Sequence, residues 1–300
     1  MRLGGPTFSE ARDPKELVEI HQKLGFGAAF AGYIEDPGRR AEHVAAFKEA
    51  DIVLAEYGSY CINILDTDPK VRATNIATIS ENLRRADEMG VRCCVIHGGS
   101  VETGGWGAAN PENMSQASFD TTVKIVQGIL DDVQPTTTKL LMETESYLLP
   151  DGPDEYLALL KAIDRTSFAV HFDPVNITSS PRRFYFSGDF LKQCFATLGA
   201  WIVSCHAKDT NIVDHASVQL TETFVGDGKL DYDTYLTEIT KLSSTPTLMI
   251  EHLSGAQMKQ GLEFLFAKAS ELGIVFEGSD KRDPSYLDNA SDEYFAPHIE

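Results

Sequence analysis

Five apolar runs in this sequence finish in residues that protein cores exclude. "VRCCVIH" (91–97) ends on His97, and "KLLMETE" (139–145) carries Glu143 and Glu145. "SFAVHFD" (167–173) closes with His171 and Asp173, and "WIVSCHAKD" (201–209) with His206 and Lys208. "PTLMIEHL" (246–253) carries Glu251. Carboxylates and imidazoles gathered from separate segments bind metal ions or move protons. Either chemistry requires a scaffold that aims all of them at one place.

Side chains alternate along a strand, so each run splits into two faces. In the run at 201–209, Trp201, Val203, Cys205 and Ala207 suit packing against helices, which leaves Ile202, Ser204, His206 and Lys208 facing inward. The same sorting turns Ala169, His171 and Asp173 inward against Phe168, Val170 and Phe172. It turns Leu141, Glu143 and Glu145 inward against Leu140, Met142 and Thr144. Thr247, Met249 and Glu251 oppose Leu248, Ile250 and His252, and His97 falls with Cys93 and Val95. All the inward polar residues lie toward the carboxyl ends of their strands.

Strand-like and helix-like segments alternate along the chain, about eight pairs in roughly 270 residues, the size and rhythm of a (β/α)8 TIM barrel. A doubly wound open sheet would need a glycine-rich phosphate turn after the first strand, and "GGPTFSE" offers no GxGxxG. The expectation is a single α/β domain over residues 1–275, with its site at the carboxyl ends of the strands. A polar tail over 276–300 is expected to fray or to make oligomer contacts. Loop 98–111, "GGSVETGGWGAANP", is long and glycine-rich.

An inward network held only by salt bridges is the competing reading of the polar residues. Burying that many carboxylates for stability is costly, because each ion must be paired and hydrogen-bonded. The inward cations are Lys208 and whichever histidines are charged, so a divalent cation accounts better for the negative charge. The five cysteines show no CxxC spacing and are read as reduced, mostly buried thiols rather than zinc ligands. A formal net charge of −19 makes the chain a poor polyanion binder. No apolar run approaches the roughly 20 residues of a membrane span, and "MRLGGPTFSE" lacks the order of a secretory signal. The cytoplasm is the default expectation.

These residues carry a resemblance. Glu in "LMETE", Asp in "HFDPVN", His in "CHAKD" and Glu in "MIEHL", in that order, resemble the xylose-isomerase-like TIM-barrel superfamily, specifically its sugar (phosphate) isomerase/epimerase branch, over about residues 1–275. "VGDGKLDY" (225–232) is similar to that branch's turn before its penultimate helix. The resemblance implies one divalent metal, Mn2+ first, with Mg2+, Co2+ or Zn2+ as alternatives, held by Glu143, Asp173, His206 and Glu251. It implies that Glu143 and Glu251 exchange protons with a ketose or polyol-derived ketone through a cis-enediolate. Asn176 and Ile212 stand where ketose 3-epimerases carry a substrate-holding His and Arg. The HxKD form is similar to inosose-dehydratase-like and sugar-phosphate-isomerase-like members, and Lys208 would bind a substrate oxygen or protonate a leaving hydroxyl unless it merely pairs with Glu145 or another carboxylate.

Further candidates for substrate contact are His97, Glu145, Asn176, Trp106 on the glycine-rich loop, and Arg182 in "SSPRRFY". His171, one layer below Asp173, is expected to orient it. The leading function is therefore a metal-dependent sugar isomerase or epimerase, expected as a homo-oligomer. The alternative is a lyase on the same scaffold: a dehydratase, a decarboxylase or a C-glycoside-cleaving subunit. Endonuclease IV shares the superfamily fold, but that resemblance implies a trinuclear zinc site with more histidines and a basic groove. No nucleic-acid or membrane partner is expected.

Overall fold

Several helix starts are written in the sequence as Asp-Pro. Asp13, Asp36 and Asp68 accept backbone N–H bonds from the first turns of α1 (Pro14–Leu24), α2 (Pro37–Glu49) and α3 (Pro69–Met89), while proline removes a donor that the first turn would leave unpaired. Gly25 and Gly90 end α1 and α3 at φ 79° and 67°, left-handed values that a Cβ disfavours. Helices α4 (Gln116–Val133), α5 (Pro153–Ile163), α6 (Pro181–Tyr185), α7 (Ser187–Leu198), α8 (Tyr232–Thr240) and α9 (Gly255–Glu271) follow. A computed structural model describes residues 1–214 and 216–288 and the backbone of 294–295.

The strands in chain order are β1 (Arg2–Gly4), β2 (Ala28–Phe30), β3 (Val53–Gly58), β4 (Cys93–Ile96), β5 (Lys139–Glu143), β6 (Phe168–Phe172), β7 (Ile202–Ala207), β8 (Asp209–Val213), β9 (Gln219–Thr223) and β10 (Thr247–Ile250). Eight of them form one parallel sheet in the order β1-β10-β7-β6-β5-β4-β3-β2. The Gly27 N–H donates to the Leu3 carbonyl at 3.0 Å, which brings β2 back beside β1 and nearly closes the barrel. This is the expected (β/α)8 barrel, with helices around the sheet. Strands β8 and β9 stand apart as an antiparallel hairpin that the sequence reading did not anticipate. No helix among the described residues is long and apolar enough to cross a membrane.

Face sorting holds where strands are regular and shifts where they bulge. Leu140, Met142, Phe168, Val170, Phe172, Leu248 and Ile250 join the large core beneath the helices. Cys93, Val95, Leu141 and Ala169 pack together inside the barrel. In β7 the expected phase is wrong at its start: Ile202 packs with the outer core, whereas Val203 packs against the inner cluster. The register between β6 and β7 shifts at this point, pairing Val170 with Ile202 but His171 with Ser204. One extra residue in β7 exchanges the faces. A second shift, between β2 and β3, pairs Ala29 with Leu54 but Phe30 with Glu56.

The chain after α9 packs on the barrel as far as it is described. Phe276 and Leu287 are buried, Glu277 receives the Met1 amine at 2.9 Å, and Asp283 N–H donates to the Lys23 carbonyl. Tyr294–Phe295 pairs antiparallel with β11 (Leu253–Ser254); the rest of the tail, where oligomer contacts are expected, lies outside the described residues.

Asp87, near the end of α3, ties the helix to the loop entering β5. Its carboxylate accepts from the N–H groups of Thr136, Thr137 and Thr138 and from the hydroxyls of Thr136 and Thr137, at 2.8–3.1 Å. Burial acts upward on its pKa, but those backbone N–H donors together hold it well below the ordinary carboxylate range. A depressed folded pKa gives stability that is present above the unfolded value and lost as pH falls through the folded one. Asp87→Ala is therefore expected to cost about 1–2 kcal/mol at pH 7, the low end for bonds to a charged group because water reaches the site. Urea unfolding at pH 7 and pH 3 checks this: the gap between wild type and variant must shrink at the lower pH.

Candidate metal and proton-transfer site

The carboxyl ends of β5, β6, β7 and β10 deliver Glu143, Asp173, His206 and Glu251 to one point. Each is buried, and each offers a ligand atom such that all of these atoms lie within 4.8 Å of one another. His206 Nδ1 is the hub, 3.2 Å from Glu143 Oε1, 3.4 Å from Asp173 Oδ2 and 2.8 Å from Glu251 Oε1. One ring nitrogen holds at most one proton and can donate it well to one acceptor. Three carboxylate oxygens converging on it therefore call for a cation. Three hard oxygen donors and one imidazole nitrogen match the ligand preferences of Mg2+ or Mn2+, and also accept Zn2+.

Lys208 meets part of that demand. Its ammonium lies 2.9 Å from Asp173 Oδ2, 2.8 Å from Glu251 Oε1 and 3.0 Å from Glu222 Oε2, with the residue 1% exposed. Among the described residues its ion-pair partners are these three carboxylates, the neighbours that the sequence reading allowed beside Glu145, which is not one of them. Burial would lower the Lys208 pKa, but Asp173, Glu251 and Glu222 carry it well above the usual value. Burial likewise acts upward on Glu143 and Glu251, and His206, with Lys208 for Glu251, carries both well below the ordinary range. The same carboxylates that favour a proton on His206 favour a metal ion there.

Around this centre the remaining candidates separate. His97 Nε2 is 3.2 Å from Glu143 Oε2, and the indole of Trp106 stacks on its ring at 4.4 Å and 22°. Asn176 donates through Nδ2 to Glu143 Oε1 at 3.2 Å, and its backbone N–H donates to Asp173 Oδ1. Glu145 is 3.8 Å from His97 Nε2; burial, then the charge of Glu143, push its pKa up to about 9, so it holds a proton beside an ionised neighbour. Arg182 is not part of this assembly. It is exposed on α6 and lines a separate cavity of about 500 Å³ with Arg183, Phe186 and Asp189.

Two placements differ from the sequence reading. His171 does not bond to Asp173; its Nε2 meets Glu56 Oε1 at 3.1 Å, one layer deeper. His252 does not face the helices with Ile250. The strand stops at Ile250 and His252 takes φ 55°, a left-handed value uncommon for a residue with a Cβ. Its ring turns to the catalytic face, 2.7 Å from Glu222 Oε1 and 3.8 Å from Glu251 Oε2.

Sequence reasoning missed Glu56 and Glu222. Glu56 is a lone carboxylate in the apolar run "IVLAEYGSY", but plain alternation places it with outward-facing Leu54, and only the bulge beside β2 turns it in. Glu222 sits on the unanticipated hairpin. A cavity of about 410 Å³ is bounded by Glu56 and Tyr60 at the barrel and by Phe30, Tyr33, His21 and His43 farther out. Among the described residues no Lys or Arg lines it, and burial depresses both histidines, His21 to about 4.

A family model described as xylose isomerase-like TIM barrel matches residues 18–268. No curated protein sequence matches the chain significantly. Among solved structures, endonuclease IV from Thermus thermophilus superposes with TM-score 0.68 at 16% identity, covering 90% of this chain and 100% of its own. An L-ribulose 3-epimerase gives 0.67 at 15%, covering 91% and 95%. The probable 3-DHS dehydratase AsbF, involved in petrobactin synthesis in Bacillus anthracis, gives 0.67 at 15%, covering 88% and 98%. At these identities the likeness is one of fold.

Proposed function

Because this chain belongs to the xylose isomerase-like TIM barrel family, we propose that it is a divalent-metal-dependent isomerase or epimerase of a sugar or polyol-derived ketone, working through a cis-enediolate with Glu143 and Glu251 as its proton-transfer pair. The observation that carries this reading is the buried convergence of Glu143, Asp173 and Glu251 on His206 Nδ1. When bound, the divalent cation supplies Lewis acidity that stabilises negative charge on substrate oxygens.

The chain's own groups supply the rest. Glu143 and Glu251 stand on β5 and just past β10, separated in the sheet by β6 and β7. That places them on either side of the His206 hub, where one removes a carbon-bound proton and the other returns one. Both are held as carboxylates, the form that removing a proton needs; the partner that returns one must first take it up, and the Lys208 ammonium 2.8 Å from Glu251 Oε1 is placed to supply it. Asn176 and His97 fix Glu143 from two sides, and Trp106 covers His97. The net charge of −19 favours a small substrate over a nucleic acid.

Lys208 supports a second reading. Its ammonium, 2.8 Å from Glu251, is placed to donate a proton to a departing hydroxyl, which would make the enzyme a lyase acting on the same enediolate. Incubating the Mn2+-loaded protein in D2O with ketoses, inososes and 3-keto sugars separates the two by NMR. Deuterium beside the carbonyl with the carbon skeleton and hydroxyls retained is the expected result. Loss of water, carbon dioxide or an aglycone would establish the lyase instead. Metal binding without exchange on any compound would sink both free-sugar readings.

A further inference from the structure

Glu56 is wholly buried, lies in the middle of the barrel, and takes no part in the proton transfers assigned above. Its Oε1 meets His171 Nε2 at 3.1 Å and the Ser204 hydroxyl, while its Oε2 meets the Tyr60 hydroxyl at 3.1 Å and His206 Nε2 at 3.4 Å. A carboxylate is acceptor-only, so both imidazoles donate Nε2–H to it and both hydroxyls donate O–H. Four donors face its two oxygens and leave no acceptor for a carboxyl proton, a geometry that suits the ionised form.

The consequence falls on His206. A neutral imidazole carries one proton, and Glu56 retains that proton on Nε2. The nitrogen left bare is Nδ1, the one that meets Glu143, Asp173 and Glu251. Glu56 also holds Tyr60, whose ring lies 5.4 Å from His97. We propose that Glu56 is the positioning residue of the centre: from beneath the ligand cluster it fixes His206 with Nε2–H pointing down and Nδ1 presented to the cation. This inference rests on the metal reading above.

The arrangement also explains why a buried carboxylate is needed where a neutral acceptor would fill the same space. Glutamine offers one oxygen and one NH2 group to four donors. Its NH2 must face two of them, and the acceptor it leaves for His206 is at best a weaker, neutral one. Partners of this kind typically change metal affinity by about 10- to 100-fold. Glu56→Asp keeps the charge but withdraws it by one methylene, out of reach of both imidazoles together.

Mn2+ affinity, read without substrate from the free-ion EPR signal, is expected to fall in the order wild type, Glu56→Asp, Glu56→Gln, with the Gln variant weaker by about 10- to 100-fold. In parallel, long-range 1H–15N spectra of 15N-histidine-labelled, Zn2+-loaded protein, with His206 assigned by its loss in His206→Asn, are expected to show a far-downfield, slowly exchanging Nε2–H in wild type that moves upfield and exchanges faster in the variants. A folded variant of either kind with wild-type Mn2+ affinity and an unaltered His206 spectrum overturns the proposal, whatever happens to its melting temperature. Should Glu56→Gln fail to fold, Glu56→Asp decides alone. Wild-type protein that binds neither Mn2+ nor Zn2+ overturns this inference and the metal reading with it, whereas tight wild-type binding with unchanged variants overturns only the role of Glu56.

Discussion

Glu251→Gln and Glu143→Gln are each expected to reduce deuterium exchange into substrate by about 10³-fold, within the range that a positioned acid or base contributes, while leaving the barrel folded. Both substitutions preserve side-chain volume. The Gln carbonyl at position 143 can still accept from Asn176, which now bonds to Glu143 Oε1. His206, with Lys208 for Glu251, holds both carboxylates well below the ordinary range, so the metal-free variants lose that pairing and are expected to melt below wild type, and circular dichroism at the assay temperature checks that they remain folded. With saturating Mn2+ confirmed bound, exchange rates in D2O give the test. A Glu251→Gln enzyme retaining a tenth of wild-type exchange would remove Glu251 from the proton-transfer pair and leave it as a ligand only.

Lys208→Met is expected to destabilise the metal-free protein by about 3–5 kcal/mol, the usual cost of removing one partner from a buried ion pair, or roughly 5–8 °C in melting temperature for a chain of this length. Asp173 and Glu251 are 0% and 2% exposed, so water cannot take over from the ammonium that now lies 2.9 and 2.8 Å from them. Glu222 is more accessible and loses less. A divalent cation compensates the same two carboxylates. Adding Mn2+ should therefore raise the melting temperature of Lys208→Met by more than that of wild type. Equal melting temperatures for the two metal-free proteins would show that Lys208 does not compensate the cluster. A variant that melts early but ignores Mn2+ would argue against a metal at these residues.

Much of this site was legible because a strand's period of two is rigid. Glu143, Asp173 and Glu251 lie an even number of residues from inward-packing Leu141, Ala169 and Met249, so sorting each run by parity places them inside. Parity fails wherever a residue is inserted. Val203 shifts the start of β7, and the extra residue at Ala55 turns Glu56 inward although Leu54, two positions earlier, faces the helices. His252 escapes by another route, since it stands past the last strand residue with a left-handed φ. Arg182 shows the converse limit. Its position after β6 suited a substrate contact, but α6 carries it to the outside.

The sequence by itself determined the alternation of strands and helices, the Asp-Pro and glycine boundaries, and the polar strand ends, because these depend on local sterics, hydrogen-bonding capacity and side-chain periodicity. Only the tertiary structure decided which charges meet. Pairing His206 with Glu56 spans 150 residues and pairing His171 with the same carboxylate spans 115, and both depend on strand register and on two bulges that set the level at which each side chain enters the barrel. An insertion of one residue reverses a face without altering local propensity, so the deep carboxylate beneath the centre appears only when neighbouring strands are laid side by side.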